Sequence, residues 1–280
     1  MLQMTAEEAR RFLESRAAEE HVLVDVRQPF EYQEFHLPGA RLIPLGELPE
    51  RAGELKRDKL VLVYCRSGSR SVAAAGLLEG LGFSRVINLQ GGIAAWQGGV
   101  AIGPGHQGLN FCLVAADKGD VLLLACGMEM ILQEFYEDLM ARAESQDVRL
   151  AFRQLAGFEV RHRERLYRLH VKEDAGAQDR ASFEDQARSR IRNARGEEMA
   201  EGGVEPGHFL ENMGLRATQA RDALELAMQF EAQALDFYLR CSEQEPADAE
   251  KAKMLLQLGQ EERAHLRMLG GLLERRAERG

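Results

Sequence analysis

LVLVYCRSGSRS, residues 60–71, is an aliphatic run that ends in a thiol and opens into a loop holding two arginines, a glycine and three serines. The short run, rich in β-branched residues, predicts a strand, and the residues after it follow a helical pattern over 69–81. A helix beginning near Ser69 points its free N–H groups back into the loop, where they favour negative charge. Arg66 and Arg70 add positive charge, and Gly68 lets the backbone curl so that several amides converge. A thiolate at Cys65 is then expected to have a lowered pKa and to lie exposed as a nucleophile. Ser67, Gly68, Ser69 and Ser71 complete an anion-binding loop. From these residues alone, phosphate and sulfur chemistry both stay open.

Similar short runs surround this one. VLVDV (22–26), RLIP (41–44) and RVINL (85–89) read as strands, with helical patterns at 5–19 and 45–57. Such alternation predicts a small parallel sheet covered by helices. After Trp96, read as a core plug, QGGVAIGPGHQG (97–108) has five glycines in twelve residues and reads as a linker. Its GPGHQG is a formal GxGxxG, but no strand feeds it, so a dinucleotide site is rejected.

Beyond residue 118 the strand signal ends. Long amphipathic segments run over 118–144, 146–171, 216–243 and 247–277, with a polar stretch between the second and the third that holds a short helical piece at 180–193. Two helical hairpins joined by a long crossover are the connectivity of a ferritin-like four-helix bundle. The expected architecture is therefore two domains: an α/β domain over 1–100, a linker over 101–117, and an all-α bundle over 118–280 with its crossover at about 172–215.

The bundle segment repeats itself. EMILQEFYEDL starts at Glu129 and EAQALDFYLRC at Glu231; in each, a Phe-Tyr pair follows the Glu by six residues to the Phe. EVRH (159–162) lies thirty residues beyond Glu129, and ERAH (262–265) thirty-one beyond Glu231. A Glu and a His three apart share one helix face. Two such turns plus two single glutamates form the dimetal pattern of bundle cores, which assigns Glu129, Glu159, His162, Glu231, Glu262 and His265 as ligands of two ions. Hard oxygen donors with two imidazoles suit manganese among the candidate metals. Tyr136 and Tyr238 are read as core packing, and Cys126 as a small buried hydrophobe.

Composition narrows the remaining classes. The first hundred residues carry 12 Lys/Arg against 13 Asp/Glu, so nearly all of the net charge of -9 lies in the helical part. An acidic chain without a basic stripe is a poor binder of nucleic acid or anionic membrane. Four scattered cysteines form no CxxC pair, which excludes a zinc knuckle. No apolar run approaches membrane-span length, and the charged start has no signal-peptide core, so a cytoplasmic location is expected.

Residues 5–100 resemble the rhodanese family. VLVDVRQPFEYQEFHLPGA (22–40) is similar to its front motif, CRSGSRS to its active-site loop, and GGIAAW (91–96) to its closing segment. The resemblance implies a sulfurtransferase whose cysteine becomes a persulfide. Cys65 then takes sulfur from a donor such as thiosulfate, passing it to an acceptor thiol or cyanide, and Arg66 and Arg70 hold the anionic donor. Related phosphatases use a loop one residue longer; the tighter Cys65-x4-Arg70 curl suits a single sulfur. Asp25 and Arg27 are assigned supporting roles, and His36 a turn role.

Residues 118–277 resemble the rubrerythrin type of ferritin-like domain. That resemblance implies a di-iron centre, reaction with dioxygen or peroxide, and a homodimer. Two departures stand out: no four-cysteine iron module is present, and Ala234 stands where some members carry an additional glutamate. The expected function is sulfur transfer through Cys65 coupled to a dimetal redox bundle. The alternatives are a persulfide- and iron-binding or sensing protein without turnover, and a peroxide reductase centred on the bundle.

Overall fold

The apolar runs pair as a parallel sheet in the computed structural model, which describes residues 2–16, 20–104, 118–173, 179–192, 196–213, 220–244 and 249–277. Two compact units divide the chain, residues 1–105 and 106–280. In the first, β1 (Leu2–Met4), β2 (His21–Asp25), β3 (Arg41–Leu42), β4 (Leu60–Tyr64) and β5 (Val86–Leu89) lie in the order β1-β5-β4-β2-β3. Every pairing is parallel; β4 sits centrally, with Asp25 opposite Tyr64 and Val61 opposite Val86. A parallel sheet covered on both faces needs continuous apolar strands, which is what LVLVY supplies. The period of two then sorts its side chains. Val61, Val63 and Cys65 enter the core that holds Ala74, Ala75 and Leu78 of α4 (Ser69–Gly80). Leu62 and Tyr64 join Ala9 of α1 (Ala6–Ser15) on the other face.

Four elements differ from expectation. The helix over 45–57 is one turn, α3 (Leu48–Arg51), followed by a 3-10 turn over Ala52–Glu54. The strand over 41–44 stops at Leu42, although Ile43 N–H still donates to Asp25 O at 2.9 Å. β1 and α2 (Pro29–Glu34) were not anticipated, being too short to show a period. Of the expected linker, Ala101 exchanges 2.8 Å hydrogen bonds with His36 and so packs on the first unit, whereas residues 105–117 lie outside the described residues.

The second unit is helical: α5 (Lys118–Arg142), α6 (Gln146–Glu173), α7 (Arg180–Arg190), α8 (Pro206–Met213), α9 (Ala220–Glu243) and α10 (Ala249–Ala277). Short connections fold α5 back on α6 and α9 back on α10, and the two hairpins pack together through α6 with α9 and α5 with α10. This is the four-helix arrangement expected from the segment lengths. Within the crossover, Arg188 ties α7 to α5 through Glu134, at 2.6 and 2.9 Å. Among the described residues no helix is long and apolar enough to cross a membrane.

The segment after β2 braces the C-terminal edge of the sheet. Arg27, 1% exposed, meets the buried Asp25 carboxylate through Nε at 3.0 Å and Nη2 at 2.7 Å, and Nη2 also donates to Phe35 O at 2.6 Å. Tyr64 Oη accepts from Leu37 N–H at 3.1 Å, and the Tyr32 hydroxyl donates to Ala40 O at 2.9 Å. His36 stacks on Tyr32 with ring centroids 3.8 Å apart. Asp25 and His36 thus serve the scaffold on which the cysteine loop stands. Removing one partner of a buried ion pair strands the other, so Arg27→Ala is expected to destabilise the first unit by about 3–5 kcal/mol. Denaturant unfolding followed by fluorescence of Trp96, the sole tryptophan, measures this.

Candidate functional site

β4 delivers Cys65 to a loop whose shape is imposed from two sides. Gly68 adopts φ 99°, a left-handed conformation open to glycine, and caps the start of α4. This turns its N–H onto Cys65 Sγ at 3.1 Å. Ser71 Oγ lies 3.5 Å from the sulfur and 3.1 Å from Gly68 O, so its one proton serves either acceptor. From outside, Ile93 N–H donates to Cys65 O and Ala94 N–H to Arg66 O, both at 2.9 Å. The Cys65 and Arg66 carbonyls are thereby tied to residues 93 and 94, while the Gly68 amide faces the sulfur. Gly92 makes the approach possible: a Cβ there would overlap the Cys65 and Arg66 carbonyls. Burial pushes the Cys65 thiol up, but the Ser71 hydroxyl and the amides of Ser71, Gly68 and Ser67 outweigh it and hold the pKa below the ordinary thiol value.

One expectation is corrected. Cys65 is 0% exposed, so the sulfur does not stand open to reactants. A six-residue curl closes over a single sulfur, and the side chain belongs to the same core face as Val61 and Val63. Arg66, Ser67 and Ser69, which form the outer wall, are exposed. A second finding concerns Arg70. Its Nη1 and Nη2 meet Glu31 Oε2 and Oε1 at 2.6 and 2.7 Å, so its guanidinium is engaged by α2. Sequence reasoning quoted Glu31 within the front motif but gave it no role.

In the helical unit the structure gathers Glu129, Glu159 and His162, and separately Glu231, Glu262 and His265. Within each trio the ligand-capable atoms lie within 4.8 Å of one another. His162 Nδ1 is 2.9 Å from Glu159 and 3.3 Å from Glu129; His265 Nδ1 is 2.9 Å from Glu262 and 3.1 Å from Glu231. The two imidazoles stack with centroids 3.8 Å apart, so the trios adjoin. All four carboxylates are buried, and burial raises the Glu262 carboxyl to about 7. On His265 burial works against charge, yet Glu231 and Glu262 lift it to about 12. His162 moves the same way, with burial opposed by Glu159. Glu159 Oε2 and His162 Nδ1 are buried without a hydrogen-bond partner despite their proximity. Anionic oxygens and ring nitrogens converging on one another fit a pair of cations shared among them.

Neighbouring residues behave as packing. Tyr136, 0% exposed, stacks with Phe152 and lies edge-on to Phe230, and Tyr238 lies against Phe237. Cys126 is buried, and burial pushes its thiol up to about 12. Glu261, beside a proposed ligand, is raised by burial and lies 2.8 Å from Arg165; sequence reasoning passed over it.

Family models cover both units. Residues 5–98 match the family model of the rhodanese-like domain, and residues 120–273 match that of rubrerythrin. The chain belongs to the rubrerythrin family and carries a rhodanese-like domain ahead of its rubrerythrin domain. A sulfurtransferase of Allochromatium vinosum is 44% identical over 78 residues, 28% of this chain and 73% of that protein. The putative sulfur carrier protein YrkF of Bacillus subtilis is 42% identical over 76 residues, 27% of this chain and 41% of that protein. The probable adenylyltransferase/sulfurtransferase MoeZ of Mycobacterium tuberculosis is 38% identical over 95 residues, 33% of this chain and 24% of that protein. The match thus spans under half the length of the last two. Among solved structures, a rhodanese-like domain protein from Staphylococcus aureus is 28% identical with a TM-score of 0.32, covering 34% of this chain and 91% of that one. A rhodanese with anions from E. coli is 34% identical with a TM-score of 0.28, covering 30% and 99%.

Two measurements check these sites. Because the folded Cys65 pKa is lowered, its thiolate persists to lower pH than an ordinary thiol's. The iodoacetamide alkylation rate at Cys65, followed by mass spectrometry, should therefore have its midpoint below the usual thiol value. Gly92→Ala, which displaces the loop carbonyls, should move that midpoint upward. In the bundle, His162→Ala or Glu262→Ala should lower bound metal by about half, since each removes one ligand from one trio. Elemental analysis of the purified full chain measures it.

Proposed function

We propose that the protein is a sulfurtransferase in which Cys65 carries sulfane sulfur as a persulfide, working with a dimetal redox centre in the helical domain. The observation that carries the reading is the Gly68 N–H on Cys65 Sγ at 3.1 Å, within a loop whose carbonyls are tied outward. Inward amides stabilise a sulfur-centred anion, whether thiolate or persulfide, without needing a general base. In the first step the Cys65 thiolate attacks the outer sulfur of the donor. A new S–S bond forms at Cys65, the donor's own S–S bond breaks, and sulfite leaves thiosulfate with the bonding pair, or a thiolate leaves a persulfide. In the second step an acceptor thiolate or cyanide attacks the terminal sulfur and Cys65 departs as thiolate. Since Cys65 is buried, the exposed outer wall of the loop, Arg66, Ser67 and Ser69, has to part for the donor sulfur to enter.

In the bundle, Glu129, Glu159, His162, Glu231, Glu262 and His265 would hold two metal ions, iron by the family's precedent. Such a pair supplies one-electron redox change. The residues themselves gather negative charge in a dry core and fix the ring nitrogens by the stacked contact of His162 and His265. The second reading, a persulfide carrier without turnover, is favoured by one observation: the sealed sulfur.

Thiosulfate:cyanide transfer, and transfer from a persulfide, should fall to background in Cys65→Ala with metal content unchanged. Retained turnover in that variant removes Cys65 from the reaction. Repeated discharge of a mass-detected persulfide by an acceptor thiol separates catalysis from stoichiometric carriage.

A further inference from the structure

Sulfane-sulfur donors differ in charge: thiosulfate is a dianion, whereas a small alkyl persulfide is a monoanion. The amides around Cys65 are dipoles that favour either one. Discrimination between donors therefore rests on the full charges beside the loop, and there the structure departs from a simple two-arginine cradle. Arg70 is held by Glu31 through two short contacts, 2.6 and 2.7 Å, with the carboxylate side chain 10% exposed and the guanidinium 34%. Glu31 is itself fixed, because Oε2 also accepts from Gln28 N–H at 3.1 Å at the start of α2. Arg70 holds the Glu31 carboxyl down at about 2, so the pair stays ionised at working pH. A bidentate pair in this geometry is not readily given up for a passing anion. Beside the sulfur, the loop then carries the charge of the exposed Arg66, with that of Arg70 cancelled.

We propose that Glu31 is a positioning residue that sets donor choice: by holding Arg70 it withdraws one positive charge from the Cys65 loop and favours monoanionic persulfides over the thiosulfate dianion. The inference rests on the sulfurtransferase reading and names its substrate class. Glu31→Gln keeps an oxygen able to cap Gln28 N–H but frees the charge of Arg70. In the double variant Glu31→Gln/Arg70→Gln both charges vanish together, which restores the wild-type balance.

The test uses the full chain and one acceptor thiol, with kcat and KM measured separately for thiosulfate and a small alkyl persulfide, and with inorganic sulfate as an unreactive dianion. Glu31→Gln should raise the thiosulfate-to-persulfide ratio of kcat/KM roughly tenfold, through a lower thiosulfate KM, and tighten sulfate inhibition by a similar factor. The double variant should return both to within about twofold of wild type, the range left when net charge is unchanged. A purely structural role for the pair would lower kcat for both donors alike and leave their ratio untouched. An unchanged or lowered ratio in Glu31→Gln overturns the proposal. So does a selective loss of thiosulfate in the double variant, which would mean that Arg70 serves the donor directly; that arm decides the matter should Glu31→Gln fail to fold. Wild-type protein that forms no Cys65 persulfide from either donor would instead bring down the sulfurtransferase reading, and this inference with it.

Discussion

Buried negative charge has to be answered within a few ångströms, and both units of this protein are organised around that constraint. In the first unit the answers come from the chain itself. Asp25 is met by Arg27, Glu31 by Arg70, and the sulfur of Cys65 by N–H groups whose opposite carbonyls are pinned away. In the second unit four buried carboxylates face two imidazoles, which is too little positive charge to balance them. The first unit thus answers its charges from its own chain, and the second gathers groups that could hold metal ions.

The answers differ in kind because the anions differ in what they must do. A sulfur that is to change bonding partners is suited by amide dipoles: they stabilise without competing for the sulfur. Carboxylates gathered to hold metal ions would have to keep their places around them. Rigid helices, neighbours such as Phe230, and stacked rings at 3.8 Å serve that purpose. The Asp25–Arg27 pair is of a third kind, with no exposed face, and it secures the strand ends from which the loop departs.

Much of this was legible in the chain. LVLVY announced a central strand because a parallel sheet covered on both sides leaves no polar alternation to obscure it. The paired Glu-x-x-His turns each put a glutamate and a histidine on one face because helical spacing converts directly into shared faces, and the structure divides the six residues into two trios. What escaped depends on distance along the chain or on small size. Glu31 and Arg70 are 39 residues apart, and neither advertises the other. β1 has three residues and α2 six, fewer than a period needs to declare itself. The sealing of Cys65 escaped for a related reason. A strand–loop–helix junction signals amides and charge, but whether the sulfur sees solvent is decided by how tightly the loop is drawn against residues 91–94.

That last dependence has a bearing on biosynthesis. β4, the loop and the first turn of α4 leave the ribosome well before Gly91, Gly92, Ile93 and Ala94 do. Until that clamp arrives, the Cys65 and Arg66 carbonyls are free to rotate and the peptide N–H groups need not converge. The ordering of the loop around Cys65 therefore waits on residues 91–94.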